Sequence, residues 1–277
     1  MTRYIASYDT EAEGCLSAVH KIVAMHERFE MPATFFVVGE VLHRSWDEFH
    51  RILENSLFEV ATHTLSHKMV RDHPFCGPAV SPAEIREEII SGKQMVEDVF
   101  QRPCVGLRPG CGFDVGLRGA ADVLSIVNEA GFEYVSSQAW GPDYTLPAPL
   151  HQPYRYEEDG YPDLWEIPCH GWHENILKNH NDWGARRVTL WPPQMPEAIP
   201  SDFLKDAAEE FGVNKIFLDK ALADSLPFVS LIWHPWSLDA FDPDMRMLEL
   251  TFEHVRDSAL QPCTYQQFCG DLRAGTA

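Results

Sequence analysis

The chain has 277 residues, with 22 Lys and Arg against 42 Asp and Glu, a formal charge of −20. With 45% apolar and 12% aromatic residues it can build a packed core, which excludes intrinsic disorder. The acidic excess excludes a nucleic-acid partner and docking on an anionic membrane, both of which need a basic face. No run of 18 apolar residues occurs, so no membrane span is expected. Met1-Thr2-Arg3 leads into Tyr4–Tyr8 without a signal-like apolar region, so a cytoplasmic location is expected. The seven cysteines (Cys15, Cys76, Cys104, Cys111, Cys169, Cys263, Cys269) are odd in number and lack C-x-x-C spacing, which predicts reduced thiols.

In chain order, Tyr4–Tyr8 reads as a strand and Cys15–Phe29 as an amphipathic helix ended by Pro32. Ala33–Val38 is a β-branched and aromatic strand closed by Gly39. Ser45-Trp46-Asp47-Glu48 predicts a capping box and a helix to about Asn55. Phe58–Thr62 is the next strand. Ser81-Pro82-Ala83-Glu84 predicts a second capping box, with Pro at the first helical position and a helix to about Phe100. Val105–Leu107 reads as a strand, Val115–Ala130 as a helix stopped by Gly131, and Phe132–Ser136 as a strand. Two irregular stretches follow, at about 137–162 and 170–200, the second holding Trp172, Trp183 and Trp191; Leu164–Ile167 is a strand between them. Helices are predicted at Asp202–Phe211, Lys215–Ser225 and Met245–Ala259, with a strong strand at Phe228–Trp233. About seven β-α pairs without repeats or linkers predict one domain over 1–277, a parallel sheet closed as a barrel, with an open doubly wound sheet as runner-up. No G-x-G-x-x-G follows a strand, so the dinucleotide-binding version lacks its fingerprint.

The polar residues gather at strand ends, where α/β barrels place their chemistry. Asp9-Thr10-Glu11 follows the first strand, His63-Thr64-Leu65-Ser66-His67 the third, and Arg108-Pro109-Gly110-Cys111-Gly112 the fourth. Glu166 follows Leu164-Trp165, and His234-Pro235-Trp236 follows the last strand. Among 13 histidines an accidental H-x-x-x-H is expected, but His63 and His67 emerge directly from a buried strand, a rigid place for metal ligands. A carboxylate, Glu11 or Asp9, would complete the set, leaving the other as general base. The plainer reading of Asp9 and Glu11 is a helix cap with a dipole-favoured acid. Arg108 would orient the base by a bidentate pair, and His234 would serve as general acid. Their plainer readings are a surface ion pair and a core imidazole.

This set resembles the polysaccharide deacetylase family, metal-dependent carbohydrate esterases that N-deacetylate chitin, peptidoglycan and related sugars. The resemblance runs from about Tyr4 to Ala259 with the motifs in the family's order. The family's T-F-D-D-G appears as Ser7-Tyr8-Asp9-Thr10-Glu11, a D-x-E variant, and H-[ST]-x-x-H as His63-Thr64-Leu65-Ser66-His67. R-P-P-Y-G appears as Arg108-Pro109-Gly110-Cys111-Gly112. Leu164-Trp165-Glu166-Ile167-Pro168 resembles the E-I-P variant of intracellular branches, and Leu231-Ile232-Trp233-His234-Pro235 matches the last motif. The resemblance implies a distorted (β/α)7 barrel. It also implies a divalent ion, zinc above others, on Glu11, His63 and His67, with Asp9 as base held by Arg108 and His234 as acid. Trp165 and Trp236 would line an acyl pocket or stack on sugar, with Glu166, Gly110 and Cys111 completing the substrate contacts. The first expectation is removal of an N-acetyl or N-formyl group from a small or lipid-linked amino sugar, with no turnover of long polymers. An allantoinase-like cyclic-amide hydrolase and a silent carbohydrate-binding homologue are the alternatives; a homo-oligomeric state is left open.

Overall fold

The computed structural model describes residues 1–171, 177–178 and 194–276. The expected tryptophans at 172, 183 and 191 lie outside the described residues.

Strand β1 (Arg3–Thr10) is buried on both faces, as its near-continuous apolar run requires of a central parallel strand. It lies between β2 (Ala33–Val37) and β8 (Phe228–Trp233), and the sheet continues through β3 (Phe58–Thr62), β4 (Gly106–Leu107), β5 (Tyr134–Val135) and β7 (Tyr161–Glu166). All these pairings are parallel. β6 (Tyr154–Tyr156) closes an antiparallel hairpin on β7, and the short β9 (Gln261–Pro262) pairs with the start of β1. The α/β class and the parallel order are as expected. Among the described residues no ladder joins β7 to β8. Side chains bridge that seam: Ser230 Oγ accepts from His170 N (3.1 Å), and Ser230 N donates to His170 Nδ1 (3.1 Å).

Strand parity separates two apolar layers. Tyr4, Ala6 and Tyr8 face outward onto helices such as α1 (Cys15–Phe29), joining Val19, Ile22 and Phe252. Ile5, Phe36, Ala61, Tyr134, Ile167 and Phe228 face inward, where Tyr265 and Phe268 of the helix Tyr265–Ala274 plug the amino-terminal end.

Several local expectations change. Ser45 makes no capping bond, because α2 (Gly39–Arg44) runs directly into α3 (Trp46–Leu53) and leaves Ser45 as their junction. The Ser81 box forms as read and opens α4 (Pro82–Phe100). Helix α5 (Ala121–Glu129) starts later than Val115, since the preceding turns are pinned by Leu117 N to the Tyr156 hydroxyl (3.0 Å). The two helices expected around Gly212 are one, Ala207–Ala223, capped by the Asp206 carboxylate. The 137–162 excursion ends in the β6–β7 hairpin, so part of it is regular.

Candidate metal and acid–base site

Register brings the site together. Tyr8 pairs with Trp233, Thr10 with Val37, Val37 with Thr62 and Thr62 with Leu107, so the ends of β1, β2, β3, β4 and β8 lie at one level. The next residues of β3, β4 and β8 are His63, Arg108 and His234. In β1, Asp9 shares the inward face with Ile5 and Ser7, Thr10 points away, and two residues on from Asp9 comes Glu11. This parity is why the second acid of a D-x-E arrangement can still reach the cleft.

Glu11, His63 and His67 offer ligand atoms that all lie within 4.8 Å of one another. His67 Nε2 is 3.2 Å from Glu11 Oε2, and the two imidazole centroids are 4.8 Å apart. His63 Nδ1 donates to the Arg108 carbonyl (2.7 Å), which leaves Nε2 as an acceptor facing the cleft. Burial above all holds its pKa down to about 4, so it is a neutral imidazole with a free lone pair. Two nitrogens and one carboxylate oxygen, preset in this way, fit an open zinc-type coordination set. Trp236 Nε1 donates to Glu11 Oε1 (3.1 Å), leaving Oε2 toward His67.

Asp9 lies beneath. Arg108 Nη1 donates to its Oδ1 at 2.7 Å, and Oδ2 is 3.7 Å from His63 Nε2. Burial would raise the Asp9 pKa, but the Arg108 guanidinium beside it above all outweighs burial and holds the carboxyl below its ordinary value. Arg108 is 2% exposed and fully bonded. It donates to Ser7 Oγ (3.1 Å), Ser136 Oγ (3.0 Å) and the Tyr265 hydroxyl (3.0 Å), and its guanidinium carbon stands 3.9 Å from the Phe36 ring centroid. The expected bidentate pair is therefore a single bond: the other donors of the fork are taken by Ser7, Ser136 and Tyr265.

Above these groups opens a cavity of about 90 Å³, lined by Asp9, Glu11, His63, His67, Arg108 and His234 on one side. Ala139, Cys169 and Ile232 supply an apolar wall, and Cys111 and Gly112 line the cavity as well. Sequence reading missed the wall residues, whose types are ordinary core types and carry no chemical signal. It did find Cys111. Gly110 abuts the His67 ring; a Cβ there would stand 2.9 Å from Nε2. Cys76 and Cys111 form a disulfide, so the expectation of reduced thiols fails for this pair, whose separation of 35 residues in sequence gave no cue. The other five cysteines are free and buried.

Four expected substrate contacts, Gly110, Trp165, Glu166 and Trp236, are not among the cavity-lining residues. Trp165 does not line the cavity; it lies under the Arg155 guanidinium, 4.7 Å from its ring centroid. Glu166 has the opposite parity and is fully buried, accepting from Ser137 N (2.6 Å), Gln138 N (2.8 Å) and the Tyr156 hydroxyl (2.5 Å). It fixes the backbone at 137–138 instead of touching a ligand. Trp236 bonds Glu11 and is not among the cavity-lining residues.

The polysaccharide deacetylase family model matches residues 7–135. Over this span, a little under half of the chain, the sequence is similar to the polysaccharide deacetylase family. The match supports a hydrolase of carbon–nitrogen bonds, a deacetylase or amide hydrolase in general terms. No curated protein matches it. Solved structures match closely in fold. One from Mycobacterium smegmatis, assigned as a polysaccharide deacetylase, is 19% identical with a TM-score of 0.70, covering 99% of this chain and 91% of that one. An allantoinase, Puue, is 12% identical with a TM-score of 0.67, covering 99% and 90%. A Bacillus anthracis pseudoenzyme of the carbohydrate esterase type is 12% identical with a TM-score of 0.53, covering 97% and 65%. At these identities the likeness is one of fold. Among the described residues no helix is long and apolar enough to cross a membrane.

Proposed function

We propose that this chain is a divalent-metal-dependent amidase that removes a short acyl group from a small or lipid-linked amino sugar. The observation that carries the reading is the convergence of Glu11, His63 and His67 on one point, next to Asp9 and His234, at the mouth of a cavity of about 90 Å³. A zinc-class ion on those three residues would supply Lewis acidity to the amide carbonyl and to the attacking water. Asp9 takes the water's proton at Oδ2, since Oδ1 is engaged by Arg108. Its depressed pKa makes it a weak base, so the step depends on that acidity. His234, which lines the same cavity from the end of β8, hands a proton to the departing amine. Ala139, Cys169 and Ile232 offer an apolar seat the size of a short acyl group. The charge of −20 favours a neutral or amine-bearing sugar over an anionic polymer.

The test joins metal analysis to a substrate panel. Purified protein is expected to bind one equivalent of zinc, and His63→Ala to lose it. N-acetylhexosamines and short chito-oligomers are expected to release acetate, and long polymers to be inert. Ring opening of hydantoins without acetate release from any sugar would overturn the substrate class in favour of a cyclic-amide hydrolase. Absence of zinc binding would overturn the metal role.

A further inference from the structure

Helix α4 carries a buried carboxylate that the chemistry above does not use. Glu88 is 2% exposed, and no Lys or Arg forms an ion pair with it among the described residues. Both of its oxygens are spent on the loop between the two histidines. Oε2 accepts from Ser66 N (2.8 Å) and Lys68 N (3.4 Å), and Oε1 accepts from Ser66 Oγ (2.5 Å). The Glu88 carbonyl also accepts from Leu65 N (2.9 Å). These donors flank His67 on either side.

The loop needs such a clamp. Thr64 and His67 both take left-handed φ values, 66° and 63°, which side-chain-bearing residues adopt only when their surroundings impose them. Within the loop, only His67 N to Thr64 Oγ1 (3.1 Å) opposes this strain. On the far side, Gly39 N and Glu40 N donate to the Thr64 and Leu65 carbonyls. One turn along α4 from Glu88, Gly92 lies so close that a Cβ would stand 2.6 Å from the Thr64 carbonyl carbon. The missing side chain lets the helix approach, and the i, i+4 spacing puts Glu88 on the same face, over the loop.

From this arrangement, and resting on the metal reading above, we propose that Glu88 is a positioning residue that sets the metal affinity of the Glu11, His63 and His67 site by holding His67 in its left-handed conformation. It touches neither ion nor substrate. A carboxylate is suited to the place because it accepts from three donors at once and offers none to compete with Ser66 N.

The test is zinc affinity by competition with a chromophoric chelator, on wild type, Glu88→Ala, Glu88→Gln and Ser66→Ala. Glu88→Ala is expected to weaken zinc about 10- to 100-fold, the range for residues that orient a ligand from behind. Glu88→Gln keeps an acceptor for Ser66 N and is expected to recover most of that loss. Ser66→Ala removes one of the bonds and falls between; it decides the matter if Glu88→Ala does not fold. Wild-type affinity in Glu88→Ala, or in Ser66→Ala when only that variant folds, overturns the proposal and leaves the metal reading intact. Equal losses in Glu88→Ala and Glu88→Gln overturn it as well, since a positioning acceptor would be rescued. Wild type that binds no zinc, with His67→Ala indistinguishable from it, overturns the metal reading and this proposal together.

Discussion

The arc from β1 to β4 and the arc from β5 to β8 line one cleft by different means. In the first arc, parallel ladders carry Asp9 directly and deliver His63 and Arg108 one residue beyond their ends. In the second, no ladder joins β7 to β8 among the described residues, and the wall residues Ala139 and Cys169 sit in connecting segments tied by side chains. Glu166 anchors Ser137 and Gln138, and the His170–Ser230 pair spans the seam that no ladder closes. Backbone register fixes the level of a group through the ladder itself, with no side-chain anchor needed. Side-chain anchoring permits a wall of variable shape. The division suggests that the reactive groups belong to the first arc and acyl selection to the second, with His234 the exception because β8 pairs directly with β1.

The largest expected effects break the first arc. Asp9→Asn keeps the Arg108 contact through its amide oxygen but removes the base, and is expected to lower kcat about 10²- to 10⁴-fold by the usual weight of acid–base catalysis. His234→Ala is expected to do the same from the end of β8. Steady-state rates on the best panel substrate measure both, with circular dichroism as the check on folding. A near-wild-type rate in either would remove that residue from the mechanism. Substitutions in the wall, such as Ile232→Ala, are expected instead to change the relative rates of acyl groups of different length.

A middle-sized effect tests the seam. His170 is fully buried, and its pKa is pushed down to about 3 chiefly by burial. Its Nδ1 accepts from Ser230 N and its Nε2 meets the His151 carbonyl, so the folded state holds it neutral. An unfolded His protonates near 6.5, so the unfolded chain binds the extra proton first. The contribution is complete above pH 6.5 and is lost progressively as pH falls toward 3. Buried Glu59 and Glu166, whose pKa values are raised by burial, act in the opposite sense, so the net curve alone is uninformative. The difference between wild type and His170→Asn isolates the term, because Asn keeps an acceptor for Ser230 N. Between pH 7 and pH 5 the wild type is expected to lose about 2 kcal/mol more than the variant, read from urea unfolding. Parallel pH profiles would mean that the seam is open enough to hydrate His170.

How much of this was legible varies with the kind of interaction. β8 and α1 match their expected limits because hydrophobic periodicity is a local property. Asp9, Glu11, His63, His67, Arg108 and His234 were readable because strand ends mark where chemistry can sit. Glu166 and Trp165 were misplaced although they sit at a strand end, since adjacent strand residues face opposite ways and only the register decides which faces the cleft. The Cys76–Cys111 pair and the Ser45 junction depend on how distant or neighbouring segments pack, which no local pattern records. Glu88 lay in an ordinary helix, and only its approach to the loop gives it meaning.

The smallest expected effect lies where the second arc reaches into the first. Trp236 follows β8 and His234, yet its indole N–H ends on Glu11 Oε1. Against burial, His234 above all, then His67 and His63, hold the Glu11 pKa below its ordinary value, and this contact adds to them. Trp236→Phe keeps most of the ring in place and deletes the donor. A single hydrogen bond to a charged group contributes about 1.5 kcal/mol at the low end, so zinc affinity is expected to weaken about tenfold. The same chelator competition measures it, and the acyl preference should not move because Trp236 is not part of the cavity wall. Unchanged zinc affinity would show that β1 alone fixes Glu11, sharpening the division between the arcs. A changed acyl preference would break it, because the second arc would then be acting on substrate through a residue that the geometry assigns to the metal ligands.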